Sequence, residues 1–407
     1  MNNPSGSQPK RAIHKTVWAL GLTSMCTDIS SEMIHALLPI YLTTVLGASV
    51  ALVGFIEGIA EATALAVKVF SGALSDWLGK RKLLVALGYG MAAFTKPIFP
   101  LASSVHDVLI ARFVDRIGKG VRDAPRDALI ADVTPPEHRG AAYGLRQTLD
   151  TIGAAIGPLV AIGLMLWTAN NYQIIFWIAV IPGVLAFLIV VFGIKEPIRE
   201  GLKPAPRNPL SRAALRELPR TYWIVLALGA MIAFSRVSEA FLILRASGAG
   251  LSPAYAPLVL VAMSVVYAVF AYPAGLLVDK YQPRNLLVIA ILSLVIAEGT
   301  LAYADTLPLV FVGILLWGAH MAFSQGLLAT LVAEHAPETA RGTAFGLFNL
   351  ASALAMLLGN GLFGTIWSLY SPNLAYGLGA GAVLLALPLL AFIKTGKADA
   401  DRLNPAS

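Results

Sequence analysis

Charged side chains are scarce: 13% of the 407 residues are Asp, Glu, Lys or Arg, against about 25% in a typical soluble domain. Cysteine is almost missing, and the single Cys26 excludes an intramolecular disulfide. No phosphate-cradling loop occurs. Gly118-x-Gly120 is too short and lies in a stretch read as a membrane helix, and no Walker motif, nucleophile elbow or paired zinc ligands are visible. ATP-driven work by this chain alone is therefore not expected. Residues 1–16 lack the short apolar core and cleavage site of a secretory signal, so the first apolar span is expected to act as an uncleaved insertion signal. The polar tail after Lys394 has no His-rich or Cys-rich tract.

What the chain has in excess is apolar length. Hydrophobic residues make up 57% of it, and runs near 20 residues recur, the length that crosses a bilayer core of about 30 Å. Such runs must be helical, because lipid offers no partner to an open backbone N–H or C=O. Twelve are predicted: 17–43, 50–75, 83–103, 106–132, 140–167, 172–194, 222–244, 254–278, 286–304, 307–333, 341–369 and 373–394. The fold class is an all-α membrane protein.

Basic residues gather in alternate loops: Lys10, Arg11 and Lys15, then Lys80 to Lys82, Arg139, a linker rich in Arg, Lys280, Arg284, Arg341 and Lys394. The opposite loops are short, and only Arg245 clearly falls there. The positive-inside rule makes both termini cytoplasmic, so the net charge of +7 is topological and implies no nucleic-acid partner. Residues 195–221, with five prolines, read as a cytoplasmic linker between residues 1–194 and 222–407.

The chain also writes itself twice. Gly72-Ala-Leu-Ser-Asp76-Trp-Leu-Gly79-Lys80-Arg81-Lys82 returns, weakened, from Gly275 through Asp279 to Arg284, and Pro136 to Leu145 returns as Pro337 to Leu347. The offsets, 203 residues from 72 to 275 and 202 from 144 to 346, are each about half the chain. Duplicated halves in an apolar protein mark a secondary transporter with its site between the halves.

These motifs resemble the major facilitator superfamily over essentially the whole chain. The resemblance implies two pseudo-symmetric six-helix bundles around a central cavity. Gly72, Asp76, Gly79, Lys80 and Arg81, with Gly275, Asp279 and Arg284, are similar to its signature loop, whose Asp and basic residues form a conformational lock; Trp77 stands where a basic residue is usual. Gly144, Gly153, Gly157 and Pro158 are similar to a fifth-helix motif of the exporting antiporters, with Ala161 replacing its last Gly. Small residues there are expected to lay this helix against its partner in the other half, with plain helix packing as the alternative. Arg112 occupies the position of a fourth-helix Arg that the family links to proton coupling, and Arg116 stands where Gly is common.

That fourth span is the most charged. Arg112, Asp115, Arg116 and Lys119 share a helical stripe and are expected to neutralise one another. Arg122 to Asp127 are expected at the cytoplasmic interface, in solvated or interdomain salt bridges. Deeper, an ionisable group is a functional hypothesis by default. Asp28, Glu32 and His35 lie on one face of the first helix, and Arg146 and Asp150 on the fifth. Asp28 and Glu32 are candidate proton carriers, with permanent pairing to Arg112, Arg116 or Arg146 as the alternative; Arg112, Asp115 and Arg116 join them as coupling candidates. Glu57 and Glu61, nearer the outer end, read as gate or structural residues.

The second half offers Arg236, Glu239, Glu298 and His320, so ion coupling is expected in the first half. Cavity candidates are His35, Arg146, Asp150, Arg236, Glu239, Trp317, His320 and Asn349, followed by Trp223, Tyr267, Gln325 and Phe348. Asp28, Glu32 and His35 near Cys26 make a sparse metal cage, and no metal or other cofactor is expected; the proton gradient is the energy source.

The reading is a monomeric, non-enzymatic carrier in the inner membrane. It is a proton-coupled antiporter that exports a small organic molecule by alternating access. Alternatives are proton-linked uptake of an organic anion or metal chelate, export of a divalent metal, or a non-transporting sensor or assembly factor. Abundant intramembrane Arg suggests a negatively charged cargo, unless those Arg are paired internally.

Overall fold

The computed structural model describes residues 13–135, 138–195, 215, 217–337 and 341–392. Twelve long helical segments fill them, and no strand occurs among the described residues. They are α1 (Lys15–His35, continued by Leu38–Ile40 and Tyr41–Val45), α2 (Val50–Leu78), α3 (Arg81–Leu101), α4 (Val105–Val133), α5 (Arg139–Trp167) and α6 (Tyr172–Gly193). After the linker come α7 (Arg220–Gly248), α8 (Leu258–Lys280), α9 (Pro283–Tyr303), α10 (Leu307–His335), α11 (Arg341–Leu369) and α12 (Pro372–Phe392).

Ten of these are long and apolar enough to cross a membrane; α1 and α4 are the exceptions, and α4 falls short because charged residues recur along its whole length. The outer faces of the helices carry exposed Trp18, Phe94, Phe192 and Leu369, as lipid contact requires. Helix starts are written locally. Ser49 and Asn171 cap α2 and α6, and Ser104 with Asp107 forms a capping box on α4. Gly79 ends α2 at φ +64°, a left-handed conformation that glycine adopts without strain.

Four helices are interrupted: α1 at Ala36–Leu37, α3 at Lys96–Pro97, α7 between Ser235 and Glu239, and α12 at Leu385–Ala386. Of the linker, residues 196–214 and 216 lie outside the described residues, as do 136–137 and 338–340 of the repeated loop segments.

Within the first six helices α1 packs on α5 and α6, and α4 on α2 and α3; within the last six, α10 packs on α8 and α9, α9 on α12, and α7 on α11. The two sets meet mainly along α2 and α11, which lie antiparallel. Gly58 faces Leu357, Gly54 faces Asn360, and Gly364 faces Val50 and Ala51. A Cβ at Gly54 would strike the Asn360 carbonyl oxygen, so this approach requires glycine.

The cores differ. The second set shares one apolar cluster around Trp317, Phe241 and Tyr376. The first has two, one around Tyr41, Phe99 and Phe176 and another around Val17, Tyr89 and Val190. A layer of charge separates them.

Candidate functional site

That layer is built on α4. Helices α2 and α4 run in the same direction, so two acids one turn apart face two arginines one turn apart. Arg112 Nη2 donates to both Glu57 oxygens, at 2.8 and 2.7 Å, and Arg116 Nη1 lies 3.4 Å from Glu61 Oε1. On the other flank Lys96, at the α3 interruption, donates to Asp115 Oδ1 at 3.2 Å and to Ser31 Oγ on α1 at 3.0 Å. Glu57, Lys96, Arg112, Asp115 and Arg116 are all buried. Pairs this dry are held by geometry, and losing one partner leaves an uncompensated charge.

The stripe on α4 therefore does not neutralise itself. Successive residues point about 100° apart, so its charges diverge towards α2 and α3, and only Arg116 and Asp115 approach each other, at 3.9 Å. The expectation of solvated or interdomain bridges from Arg122 to Asp127 is also corrected. The helix continues through them, and Arg122 and Arg126 are buried within the first six helices. Arg122 lies 4.6 Å from the Tyr89 ring centroid, and Arg126 pairs with Asp123 and Asp127.

A cavity of about 310 Å³ opens between the two sets of helices beside this layer, lined by Glu32, His35, Glu61, Arg116, Lys119, Arg236 and Glu239. Both halves thus contribute charge to one space. His35 Nε2 lies 3.3 Å from Glu57 Oε2, and its Nδ1 lies 3.8 Å from Glu32. The α7 interruption forms part of the wall. Irregular backbone is tolerated at this depth only where it is buried in protein or lines a cavity. Here the Ser238 amide donates to Asn360 Oδ1 at 2.7 Å, and Ser238 Oγ accepts from the Ala240 amide at 3.2 Å. A second cavity of about 450 Å³ lies between α5 and α8, lined by Asp150 and Tyr267 among others, and a third of about 430 Å³ beside Lys68, Arg236, Phe348 and Asn349.

Asp28 sits beside Asp150, one carboxyl next to another. Arg146 Nη1 lies 3.8 Å from Asp150 and 2.7 Å from Gln147 Oε1, on its own helix. The fifth-helix glycines act elsewhere than expected. A Cβ at Gly153 would meet Met25 and Asp28, and one at Gly157 would meet Glu32 Cβ at 2.8 Å. Both therefore let α5 close on α1 in the same half, not on a helix of the other half. Pro158 is buried beside them, and Gly144 has open space around it.

At the linker end, Arg81 ties the signature loop together, with Nη2 3.1 Å from Asp76 and Nε 2.9 Å from Asp132 at the end of α4. Gly72 faces Ala124 at 3.4 Å, and Lys80 is the residue before α3. Both Arg81 contacts lie within the first half. The loop's second-half counterparts Gly275 and Asp279 lie on α8 with side chains outside the described set, and Arg284 is exposed at the start of α9.

Three cavity expectations are corrected. Trp317 and His320 are fully buried inside the second half, with His320 Nδ1 2.7 Å from the Ala290 carbonyl. Trp223 is exposed on the outer face, and the Gln325 side chain lies outside the described set. Sequence reasoning missed Lys96, although a lysine inside an apolar run is itself a signal. It also assigned Glu57 to the outer end without the central partner role the structure gives it. No group of three or more His, Cys, Asp or Glu able to hold a metal occurs among the described residues, and Cys26 is buried and free.

The sequence matches the family described as Major Facilitator Superfamily over residues 20–360 and 239–406. It is 30% identical over 400 residues to the "Uncharacterized MFS-type transporter MJ1317" of Methanocaldococcus jannaschii, covering 96% of this chain and 98% of that one. It is 23% identical over 352 residues to "Multidrug resistance protein MdtH" of Aeromonas salmonicida, covering 84% and 85%. Among solved structures the nucleoside transporter NupG superposes with a TM-score of 0.78 at 13% identity, covering 93% and 99%. That last likeness concerns fold alone.

Proposed function

Because the chain belongs to the major facilitator superfamily, and is a multi-pass membrane transporter and not an enzyme, we propose that it is a proton-coupled antiporter exporting a small organic molecule. The observation that carries this reading is the charged cavity to which both halves contribute, with Glu32 of α1 on its wall. The carboxyl pair Asp28 and Asp150 stands at the same α1–α5 crossing. Two adjoining carboxyl groups can hold one proton between them and release it when their surroundings change. Export is supported by the resemblance of α5 to the antiporter motif and by relatives named as multidrug resistance proteins.

In this reading the halves, residues 1–194 and 222–407, rock about the linker as one monomer in the inner membrane, with termini and linker cytoplasmic and the proton gradient as energy source. The distal contacts, Ser238 with Glu57 and the Ala51 amide with Ser368 Oγ at 2.8 Å, then close the outer side. The test is proton release from acid-loaded inverted vesicles on addition of candidate cargo. Wild type dissipates the gradient and the Asp28→Asn/Glu32→Gln variant does not. Equal dissipation by both, or cargo-driven proton entry in the symport sense, overturns the reading.

A further inference from the structure

The charges around the 310 Å³ cavity do not all close on one another. Arg116 is taken by Glu61, and His35 lies between Glu32 and Glu57. Once these are set aside, three side chains on the wall make no ion pair within 4 Å among the described residues, although Arg236 and Glu239 lie near enough to attract each other: Lys119 on α4, Arg236 at the α7 interruption and Glu239 just beyond it. All three are partly buried. The remainder is two cations and one carboxylate, drawn from both halves.

Unpaired charge in a confined space is costly, and protein interiors ordinarily pair it. A binding site is the exception, since its groups wait for a ligand of complementary charge. The same remainder disfavours a lipophilic cation. Such a molecule is recognised by apolar and aromatic walls with an acid, whereas this wall presents two cations outside any ion pair and an apolar cover of Met263, Met321, Met356, Leu260, Val237 and Ala154, with no Phe, Tyr or Trp among its lining residues.

We propose that the cargo is a small amphoteric acid, carrying two acidic groups and one amine. One acidic group binds Lys119 and the other Arg236, so the ligand bridges α4 of the first half and α7 of the second. The amine binds Glu239. Bridging gives the cargo different contacts when the halves are together and apart, which is what a ligand needs to bias a conformational equilibrium. The proposal rests on the transport reading above and names its substrate class.

The test is the thermal midpoint of the purified protein, followed by tryptophan fluorescence, with aspartate, glutamate, succinate, putrescine and tetraphenylphosphonium as probes. Aspartate or glutamate raises the midpoint most, succinate less, and the two cations not at all. Lys119→Gln and Arg236→Gln lose that shift while the empty variants keep or exceed the wild-type midpoint, because each removes an unpaired charge.

A largest shift from putrescine or tetraphenylphosphonium, no shift from either amino acid, or an empty Arg236→Gln protein as unstable as Glu57→Gln overturns the proposal. Proteoliposomes separate the two readings. Glutamate bound but not moved sinks transport and leaves the class standing. Tetraphenylphosphonium moved equally by wild type and Arg236→Gln sinks the class and leaves transport standing.

Discussion

Ser238 Oγ donates to Glu57 Oε2 at 3.3 Å, a hydrogen bond that ties the interrupted α7 of one half to the carboxylate that Arg112 holds in the other. The ionic layer and the interface between the two sets of helices therefore share an atom. Removing this hydroxyl loosens the distal closure without unpairing any charge. Ser238→Ala is expected to cost the closed form about 1 kcal/mol, roughly a fivefold change in its population. Distance distributions between spin labels on the distal ends of α1 and α7 measure it, and unchanged distributions exclude a closing role.

Charge pairs in the layer are expected to behave as pairs. Lys96→Met alone leaves Asp115 buried with only Arg116, 3.9 Å away, for a partner and should lower stability by as much as about 3–5 kcal/mol. Lys96→Met with Asp115→Asn should recover most of that loss. A double variant no better than the single one shows that the interaction of Lys96 with Ser31 dominates.

The α5 glycines separate by position. Gly157→Ala places a methyl 2.8 Å from Glu32 Cβ, with backbone also close, and should cost about 1–3 kcal/mol together with transport activity. Gly144→Ala meets open space on a helix and should be neutral or stabilising by about 0.5–1 kcal/mol. Equal tolerance of the two would remove the close-packing account.

Much of this was legible beforehand. Span boundaries followed from hydropathy, and α2, predicted at 50–75, runs Val50–Leu78. The acids Glu57 and Glu61 and the arginines Arg112 and Arg116 could each be seen one turn apart, but nothing in the sequence gives the azimuth of α4 about its axis. Whether an α4 charge meets its own helix or a neighbour depends on that rotation, so the ladder became visible only in three dimensions. Trp317 and His320 fail for the same reason: depth can be read from position along a span, but facing cannot. Lys96 was different, because its apolar context in α3 already marked it.

Glu298 offers a test remote from the cavity. It is fully buried on α9, and neither its carboxyl oxygens nor the nearby Tyr376 hydroxyl finds a hydrogen-bond partner among the described residues. Gly379 of α12 makes the room, since a Cβ there would lie 2.7 Å from Glu298 Oε2. Glu298→Gln keeps the shape without an ionisable oxygen and should leave the thermal midpoint unchanged or raise it. Gly379→Ala should lower it by the equivalent of about 1–3 kcal/mol. A large loss in Glu298→Gln would show that an ionised carboxylate is required there.

The order of the ionic layer along the chain bears on how the protein is made. Helix α4 is too charged to enter lipid on its own hydropathy, yet its deep partners Glu57, Glu61 and Lys96 all precede it in sequence. Synthesis runs from the N-terminus, so the counter-charges already stand in the bilayer when Arg112 and Arg116 leave the ribosome. Integration of α4 is thereby expected to draw on α2 and α3, and loss of the Glu57 charge is expected to slow the entry of the fourth helix into the bilayer.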